Sequence, residues 1–395
     1  MRLPHAPLGD SHNFGRRVEL RGDRVHKPRT LAWERLVLSP ASPLRRLLAE
    51  LAAESALGEG AFAFLPSLRF WPRGRLGGEV ERLALAPVGR LGREGRRDLA
   101  RVVGRSLALW SWLGVSDLHW ENLALGRDAR GALVFGPLDV ELILGDLGSP
   151  TETKLLPDAD PEYAEVCRHA CGVRRALPWL GKPVDAGDLL AMARAYLEVL
   201  ALLDRHATRV ARTLAAVPGL REAPIRVCLR GTGDYVLARD EPVWPPLLDA
   251  EAEQMARGDI PYFFRLYGRP GILWFGDRAL RTTRRLPMTG DAPEREPLLH
   301  LARGMRSPRR RRLREEGLFT VIGAFDHDAL AGRHAEGDLA IAFGARTIAA
   351  TLPSGETLEV RRDLGAYVGS VYLPCRCGEV RSPLVPSVTR CVASP

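Results

Sequence analysis

The segment Val115-Ser-Asp-Leu-His-Trp-Glu-Asn122 gathers two carboxylates, an imidazole and a carboxamide directly behind a long apolar pattern, and it fixes the order of the elements around it. Residues 94–113 put Leu99, Val102, Val103, Leu107, Trp110 and Leu113 on one face of a predicted helix, and Gly114 is a natural C-terminal cap. Short strands are predicted at Leu123-Ala-Leu125 and Ala132-Leu-Val-Phe135, with a turn over 128–131 between them. The polar block therefore falls between a helix and a hairpin. Taken alone it reads as a polar turn that caps strands.

The pattern upstream is strand, strand, helix. Val18 and Leu20 alternate with polar neighbours, Gly22-Asp23 marks a tight turn, and Lys27 falls on the return strand. From Ser42 onward Leu44, Leu47, Leu48 and Leu51 recur at helical spacing, with Glu54 on the same stripe. Leu83-Ala-Leu-Ala-Pro-Val88 is expected to be a last strand and a crossover. Downstream, a second long helix is predicted over 187–216. A strand follows at Ile225-Arg-Val-Cys-Leu229, ahead of a Gly-Thr-Gly-Asp turn. Beyond about residue 325 the chain changes to short alternating runs with turn signals. The expected architecture is α+β, in three regions: 1–90, 91–322 and a small β-rich unit over 323–395.

Composition narrows the class. The chain has 395 residues, 46% of them apolar, enough for a buried core in two or three domains. No apolar run is long enough for a membrane span or a secretory signal, and six cysteines suit a reducing compartment, so a soluble cytoplasmic protein is expected. The formal charge of +9 does not by itself indicate nucleic acid, because the arginines are scattered along the chain. The one cluster, Arg309-Arg-Arg-Arg312 with Arg314, reads as a solvated helix face or a domain junction and has no interleaved aromatics for stacking. Only three of the 57 basic residues are lysines: Lys27, Lys154 and Lys182. A lysine kept against that bias points to a need for a compact ammonium.

The charged residues fall in the order that phosphoryl transfer requires. Asp117 and Asn122 are five apart, the interval of a protein-kinase catalytic loop, and Asp139 follows the next strand. One carboxylate, Asp117, would accept the proton of an attacking hydroxyl. Asp139 and Asn122 would hold Mg²⁺ against nucleotide phosphates. Lys27 lies upstream on a strand, where a kinase places its phosphate-contacting lysine. Glu54 is a candidate ion-pair partner for it, with an ordinary helix-edge role as the alternative. Together these residues predict a two-lobed kinase-like fold.

Five blocks in order resemble the dehydratase domain of class II lanthipeptide synthetases (the LanM type). They are Gly9-Asp-Ser-His-Asn-Phe-Gly-Arg16, Val25-His-Lys-Pro-Arg29, Asp117-Leu-His-Trp-Glu-Asn122 with Asp139-Val-Glu141, Arg226-Val-Cys-Leu-Arg-Gly-Thr232 followed by Tyr235, and Gly258-Asp-Ile-Pro-Tyr-Phe263. The resemblance covers residues 9 to about 320. It implies a lipid-kinase-like fold and an ATP- and Mg²⁺-dependent phosphorylation of Ser and Thr in a ribosomally made precursor peptide. Elimination of the phosphate then leaves dehydroalanine or dehydrobutyrine. By resemblance the phosphorylation set is Lys27, Asp117, His119, Asn122 and Asp139, and the elimination set is Asp10, His12, Arg226 and Thr232. Arg226 and Thr232 would hold the departing phosphate; Asp10 and His12 would orient or exchange a proton, with the base left open between them. A zinc-dependent cyclase domain is not expected here, since Cys375-Arg-Cys377 with Cys391 lacks a fourth ligand nearby. Cys167 and Cys171, with His169 between, read as core or surface residues. The expectation is a stand-alone dehydratase, with a separate cyclase as a candidate partner and neither nucleic acid nor membrane as one. The alternatives are a kinase that only phosphorylates and a non-catalytic homologue that binds peptide or a synthetase.

Overall fold

The computed structural model describes residues 6–157, 170–181, 183–267, 269, 271–287, 308–361 and 389–391. The architecture is mixed α and β, with helices and four antiparallel sheets. The first sheet has the strand order β1-β2-β3-β5-β4, built from β1 (Ala6–His12), β2 (Arg16–Arg21), β3 (Arg24–Lys27), β4 (Phe70–Pro72) and β5 (Gly78–Glu81). The β2–β3 hairpin turns at Gly22, whose φ of +66° suits glycine, and it carries Lys27 at its end as the alternation predicts. The segment 83–88, expected as the last strand, instead makes one bridge, between Ala86 and Arg127, and the sheet ends earlier, in β4 and β5. Pro87 and the short alternation leave too little chain there to pair.

Two helices follow β3. Helix α1 (Ala32–Leu38) is only seven residues long, and α2 (Pro43–Ala53) starts at Ser42, whose side chain accepts a hydrogen bond from the Arg45 N–H at 3.0 Å. Leu44, Leu47, Leu48 and Leu51 of α2 are all buried, as their spacing requires. The long helix α3 (Arg93–Leu113) ends at Gly114 in the left-handed conformation. It packs along α4 (Ala186–Arg205), which His206 separates from a shorter helix, α5 (Ala207–Ala215). Where α3 and α4 cross, a β-carbon on Gly104 would stand 2.1 Å from the Met192 carbonyl oxygen. The two backbones touch there, and only glycine fits.

Behind α3 come the hairpin β6 (Leu123–Arg127) and β7 (Leu133–Pro137), and then the four-stranded sheet β8 (Pro224–Val227), β9 (Phe263–Leu266), β10 (Leu273–Phe275) and β11 (Thr283–Arg285). The Gly-Thr-Gly-Asp stretch after β8 is not a simple turn. It opens a short helix, α6 (Thr232–Leu237), because Asp234 accepts the Gly231 N–H at 3.1 Å. Tyr235 of α6 donates to the buried Glu251 at 2.7 Å and so fastens α6 to α7 (Asp249–Met255).

The alternating runs near the C-terminus form a meander, β12 (Gly332–Glu336), β13 (Leu339–Phe343), β14 (Thr347–Thr351) and β15 (Thr357–Arg361), with β16 (Thr389–Cys391) beside β15. This sheet does not pack apart from the rest. Leu339, Ile341, Phe343, Ile348, Leu358 and Val360 belong to the same buried cluster as α3 and α4. Arg194 of α4 reaches the Glu336 carbonyl at 2.9 Å and Asp338 at 2.9 Å. The arginine cluster lies at this junction. Arg310 pairs with Asp204, Arg311 with Glu315 and Arg314 with Glu356. A chain ending near residue 322 should therefore expose the α4 face and lose soluble folded protein, measured as the monomer peak in size-exclusion chromatography. A folded, monodisperse truncation would show the sheet to be dispensable.

Candidate functional site

Lys27, at the end of β3, is the starting point. Its ammonium donates to Glu34 at 2.8 Å and to the Leu138 carbonyl at 3.0 Å, and it lies 3.7 Å from Asp139. Lys27 and Glu34 are both buried. The partner is thus Glu34 on α1, and the candidate Glu54 is not it. Glu54 caps the end of α2, half-exposed, and pairs with Arg209 on α5. Helix α1 is too short to give a periodic signal, which is why Glu34 escapes a reading based on apolar spacing.

Arg29, two residues beyond Lys27, extends the contact. Its guanidinium reaches Glu34 at 2.8 Å, Asp139 at 2.5 Å and Glu141 at 3.1 Å. Glu141 in turn pairs with Arg226 of β8, whose own backbone N–H donates to the Glu141 carbonyl at 3.0 Å. Three cations and three carboxylates alternate through the interior. Burial works to raise the Asp139 pKa, and Arg29 and then Lys27 overcome it, holding this carboxyl well below the usual range. Burial raises Glu34, against the pull of Lys27 and Arg29. The Arg226 guanidinium stays charged despite its burial because Glu141 faces it.

The Asp117–Asn122 loop borders this chain of charges. Asn122 donates its amide to the Asp117 carbonyl at 2.9 Å and to the Asp117 carboxylate at 3.2 Å, which fixes its Oδ1 facing the other way. The Leu138 N–H donates to the Asn122 carbonyl at 2.8 Å, so β6 and β7 set Asn122 beside the residue preceding Asp139. Asp117 takes a φ of +65°, an unusual backbone for a residue with a side chain and a mark of a constrained site. Its carboxyl pKa is raised, by burial first, with Asp139 and Glu141 adding to the effect and His119 and Arg226 opposing it. His119 Nε2 stands 3.8 Å from Asp117.

The β1–β2 turn closes over the same region. Asn13, Phe14 and Gly15 all have positive φ, and a single buried carboxylate holds them. Asp259 accepts the N–H of Phe14 at 2.7 Å, the N–H of Gly15 at 2.8 Å and the Ser11 hydroxyl at 3.0 Å. The neighbouring Ile260 carbonyl accepts His12 Nδ1–H at 2.7 Å. That bond leaves Nε2 of a neutral His12 as a free acceptor. Burial, and then the Arg226 charge, hold the imidazole below its ordinary pKa. His12 also meets Tyr262 edge-on at 5.9 Å, and Arg226 lies over the same ring at 5.6 Å.

The structure thus brings Lys27, Asp117, His119, Asn122, Asp139, His12 and Arg226 around one region. Asp10 is exposed on β1, close enough to act on the His12 charge. Thr232 is not in the group. It is exposed at the start of α6, and its side chain makes no hydrogen bond to Arg226, Asp10 or His12. Arg29, Glu34, Glu141, Tyr262 and Asp259 are the participants that the spacing argument overlooked. Glu141 was within reach, since Asp139-Val-Glu141 alternates two carboxylates toward the same side.

The oxygen atoms around Asp139 suit a hard cation. Asp139 Oδ1 is buried and accepts no hydrogen bond, and Asn122, which carries a carboxamide oxygen, meets Leu138, the residue before Asp139, through its backbone. Among the described residues no cluster of three His, Cys, Asp or Glu forms a metal site. Cys167, His169, Cys375 and Cys377 lie outside the described residues, as does Lys182; Cys171 is buried. No helix of the described residues is long and apolar enough to cross a membrane. Neither protein-family models nor curated proteins give a match to this chain.

Replacing Glu34 by Ala would leave Lys27 and Arg29 sharing one carboxylate fewer in a buried setting. Breaking a buried pair from one side costs about 3–5 kcal/mol, so urea denaturation should show a midpoint lowered in proportion. An unchanged midpoint would mean that the pair contributes nothing to stability.

Proposed function

We propose that this chain is a two-lobed, kinase-like enzyme that uses ATP and Mg²⁺ to phosphorylate Ser and Thr of a ribosomally made precursor peptide and then eliminates the phosphate. The observation that carries the reading is the position of Lys27, 2.8 Å from a helical glutamate and 3.7 Å from Asp139. A strand lysine, a helix glutamate and a carboxylate after the catalytic-type loop form the set on which phosphoryl transfer depends. The N-terminal sheet with α1 and α2 corresponds to one lobe, and the helical region around α3 and α4 to the other.

When bound, ATP and Mg²⁺ supply the phosphoryl group and neutralise its charge. Asp139 and Asn122 are the residues suited to hold the metal, and Lys27 to contact the phosphates. Asp117 accepts the proton of the attacking hydroxyl, a task that its raised pKa favours, and His119 stands beside it. In the second step a base takes the Cα proton, the Cα–Cβ double bond forms, and the Cβ–O bond breaks with the electrons leaving on phosphate. His12 is suited to be that base: it is neutral near pH 7 and its Nε2 is free. Asp10 moderates its charge, and Arg226 faces the leaving anion.

The position of Thr232 supports a second reading, a kinase that stops at phosphopeptide, because the donor expected to work with Arg226 is turned to solvent on α6. Mass spectrometry of a Ser/Thr-containing precursor separates the two. Under the main reading the wild type yields peptide lighter by water, and Arg226→Ala yields peptide heavier by phosphate. Loss of an anion-stabilising donor slows elimination by about 10²–10³-fold. Asp139→Asn should abolish transfer altogether. Phosphopeptide alone from the wild type would establish the second reading, and turnover by Asp139→Asn would remove the metal role.

The pH dependence follows from His12. Its pKa lies below the ordinary value near 6.5, so the neutral, proton-accepting form persists on the acid side of that value. Elimination rates measured from a pre-formed phosphopeptide should stay level down to about pH 6.5 and fall only below it. An acid limb centred above pH 7 would exclude His12 as the base.

A further inference from the structure

The first sheet has a second face. Cross-strand partners share a face, so the pairing of Glu19 with His26 sets both, together with Arg17, on the side opposite Val25 and Lys27. On that side lies a hollow of about 550 Å³ lined by Phe14, Gly15, Arg16, Arg17, Glu19 and His26, with Pro28 at the edge and Arg278 from the turn between β10 and β11. Arg16 closes the wall by donating to the Arg278 carbonyl at 2.9 Å.

The charge in this hollow is unbalanced. Arg16, Arg17 and Arg278 make no ion pair among the described residues. The one carboxylate of the lining, Glu19, is held by Arg21 at 2.6 Å. Arg17 and Arg278, from two separate segments, therefore line the hollow without an ion pair of their own, while Arg16, the cross-strand partner of His12, reaches in at the edge. Phosphate cradles use backbone N–H groups, and the two that this turn offers, those of Phe14 and Gly15, already donate to Asp259. What remains is a side-chain surface of guanidinium forks with Phe14 and Pro28 as apolar walls. Guanidinium forks take carboxylate and phosphate alike, and the apolar walls beside them favour the carboxylates of an extended peptide.

We infer that this hollow binds a carboxylate-bearing stretch of the peptide substrate and so selects substrates with acidic residues away from the reacting Ser or Thr. The inference rests on the peptide-modifying reading above. The β1–β2 turn that forms one wall of the hollow also carries His12 on the other side, so a segment seated here lies one turn away from the site of chemistry.

The test measures binding, so it is independent of turnover. A fluorescein-labelled hexaglutamate peptide is titrated with full-length wild type, Arg17→Glu, Arg278→Glu and the double variant, followed by anisotropy. Binding by the wild type should weaken ~10-fold or more in the double variant, since like charges then face each other. It should also weaken as salt rises from about 0.05 to 0.3 M. Hexaglutamine should not bind. Arg17 and Arg278 are exposed, and matching thermal melts of the variants will show that the fold is kept. Equal affinity of wild type and double variant, or equal binding of hexaglutamine, would overturn the assignment. Displacement of hexaglutamate by a few equivalents of inorganic phosphate would make this a phosphate site and overturn it too. If hexaglutamate binds as expected while no precursor is phosphorylated, the reading of the reaction fails and the anion site stands.

Discussion

The interior of this protein is organised by an alternation of charges that runs from Asp139 through Lys27, Glu34, Arg29 and Glu141 to Arg226, with Arg29 also bound back to Asp139. Removing six charged groups from water is costly, and their mutual attraction offsets that cost only when every neighbour has the opposite sign and good geometry. The alternation meets that condition in part: each cation faces carboxylates, while Asp139 raises the pKa of its neighbour Glu34, and Glu34 Oε2, Asp139 Oδ1 and Glu141 Oε2 are buried without a hydrogen bond. It also spans β3, α1, the segment after β7 and β8, elements far apart in sequence. The Trp33 indole adds a neutral tie, donating to the Pro224 carbonyl at 3.0 Å, so α1 and the start of β8 are held together beside the charges.

Much of the backbone was legible in the sequence. The helix over Arg93–Leu113 and its glycine cap, the β2–β3 hairpin, the Ser42-capped α2 and the β6–β7 hairpin all follow from local spacing and turn chemistry. Local signals failed where tertiary contacts decide. Helix α1 is a seven-residue piece whose place depends on Trp33 reaching Pro224 and on Glu34 meeting the Lys27 and Arg29 side chains. Helix α6 begins where the sequence shows a Gly-Thr-Gly-Asp turn, and the C-terminal sheet joins the main core although nothing in its own alternation says what covers it.

The site shows the same division. Lys27, Asp117, Asn122 and Asp139 could be picked out because their types and order match a known chemistry. Arg29 could not, because its importance comes from standing between other residues. Asp259 belongs to this second class as well. One buried carboxylate accepts two turn amides and a hydroxyl, and the carbonyl of the next residue sets the His12 tautomer. A short motif near residue 260 thereby governs a loop near residue 12.

The pairing of Arg226 with Glu141 has a further consequence. Among the described residues, each of the three cations, Lys27, Arg29 and Arg226, already faces a resident carboxylate. An incoming anion must therefore enter by exchange, displacing a carboxylate from its guanidinium or ammonium and leaving that carboxylate in want of a new partner. A divalent cation arriving together with the anion satisfies both halves of the exchange, whereas a bare anion satisfies one. Under the proposed function, such an interior would favour metal-bound over metal-free ligands by counter-ion balance, without any contact that recognises the difference in shape.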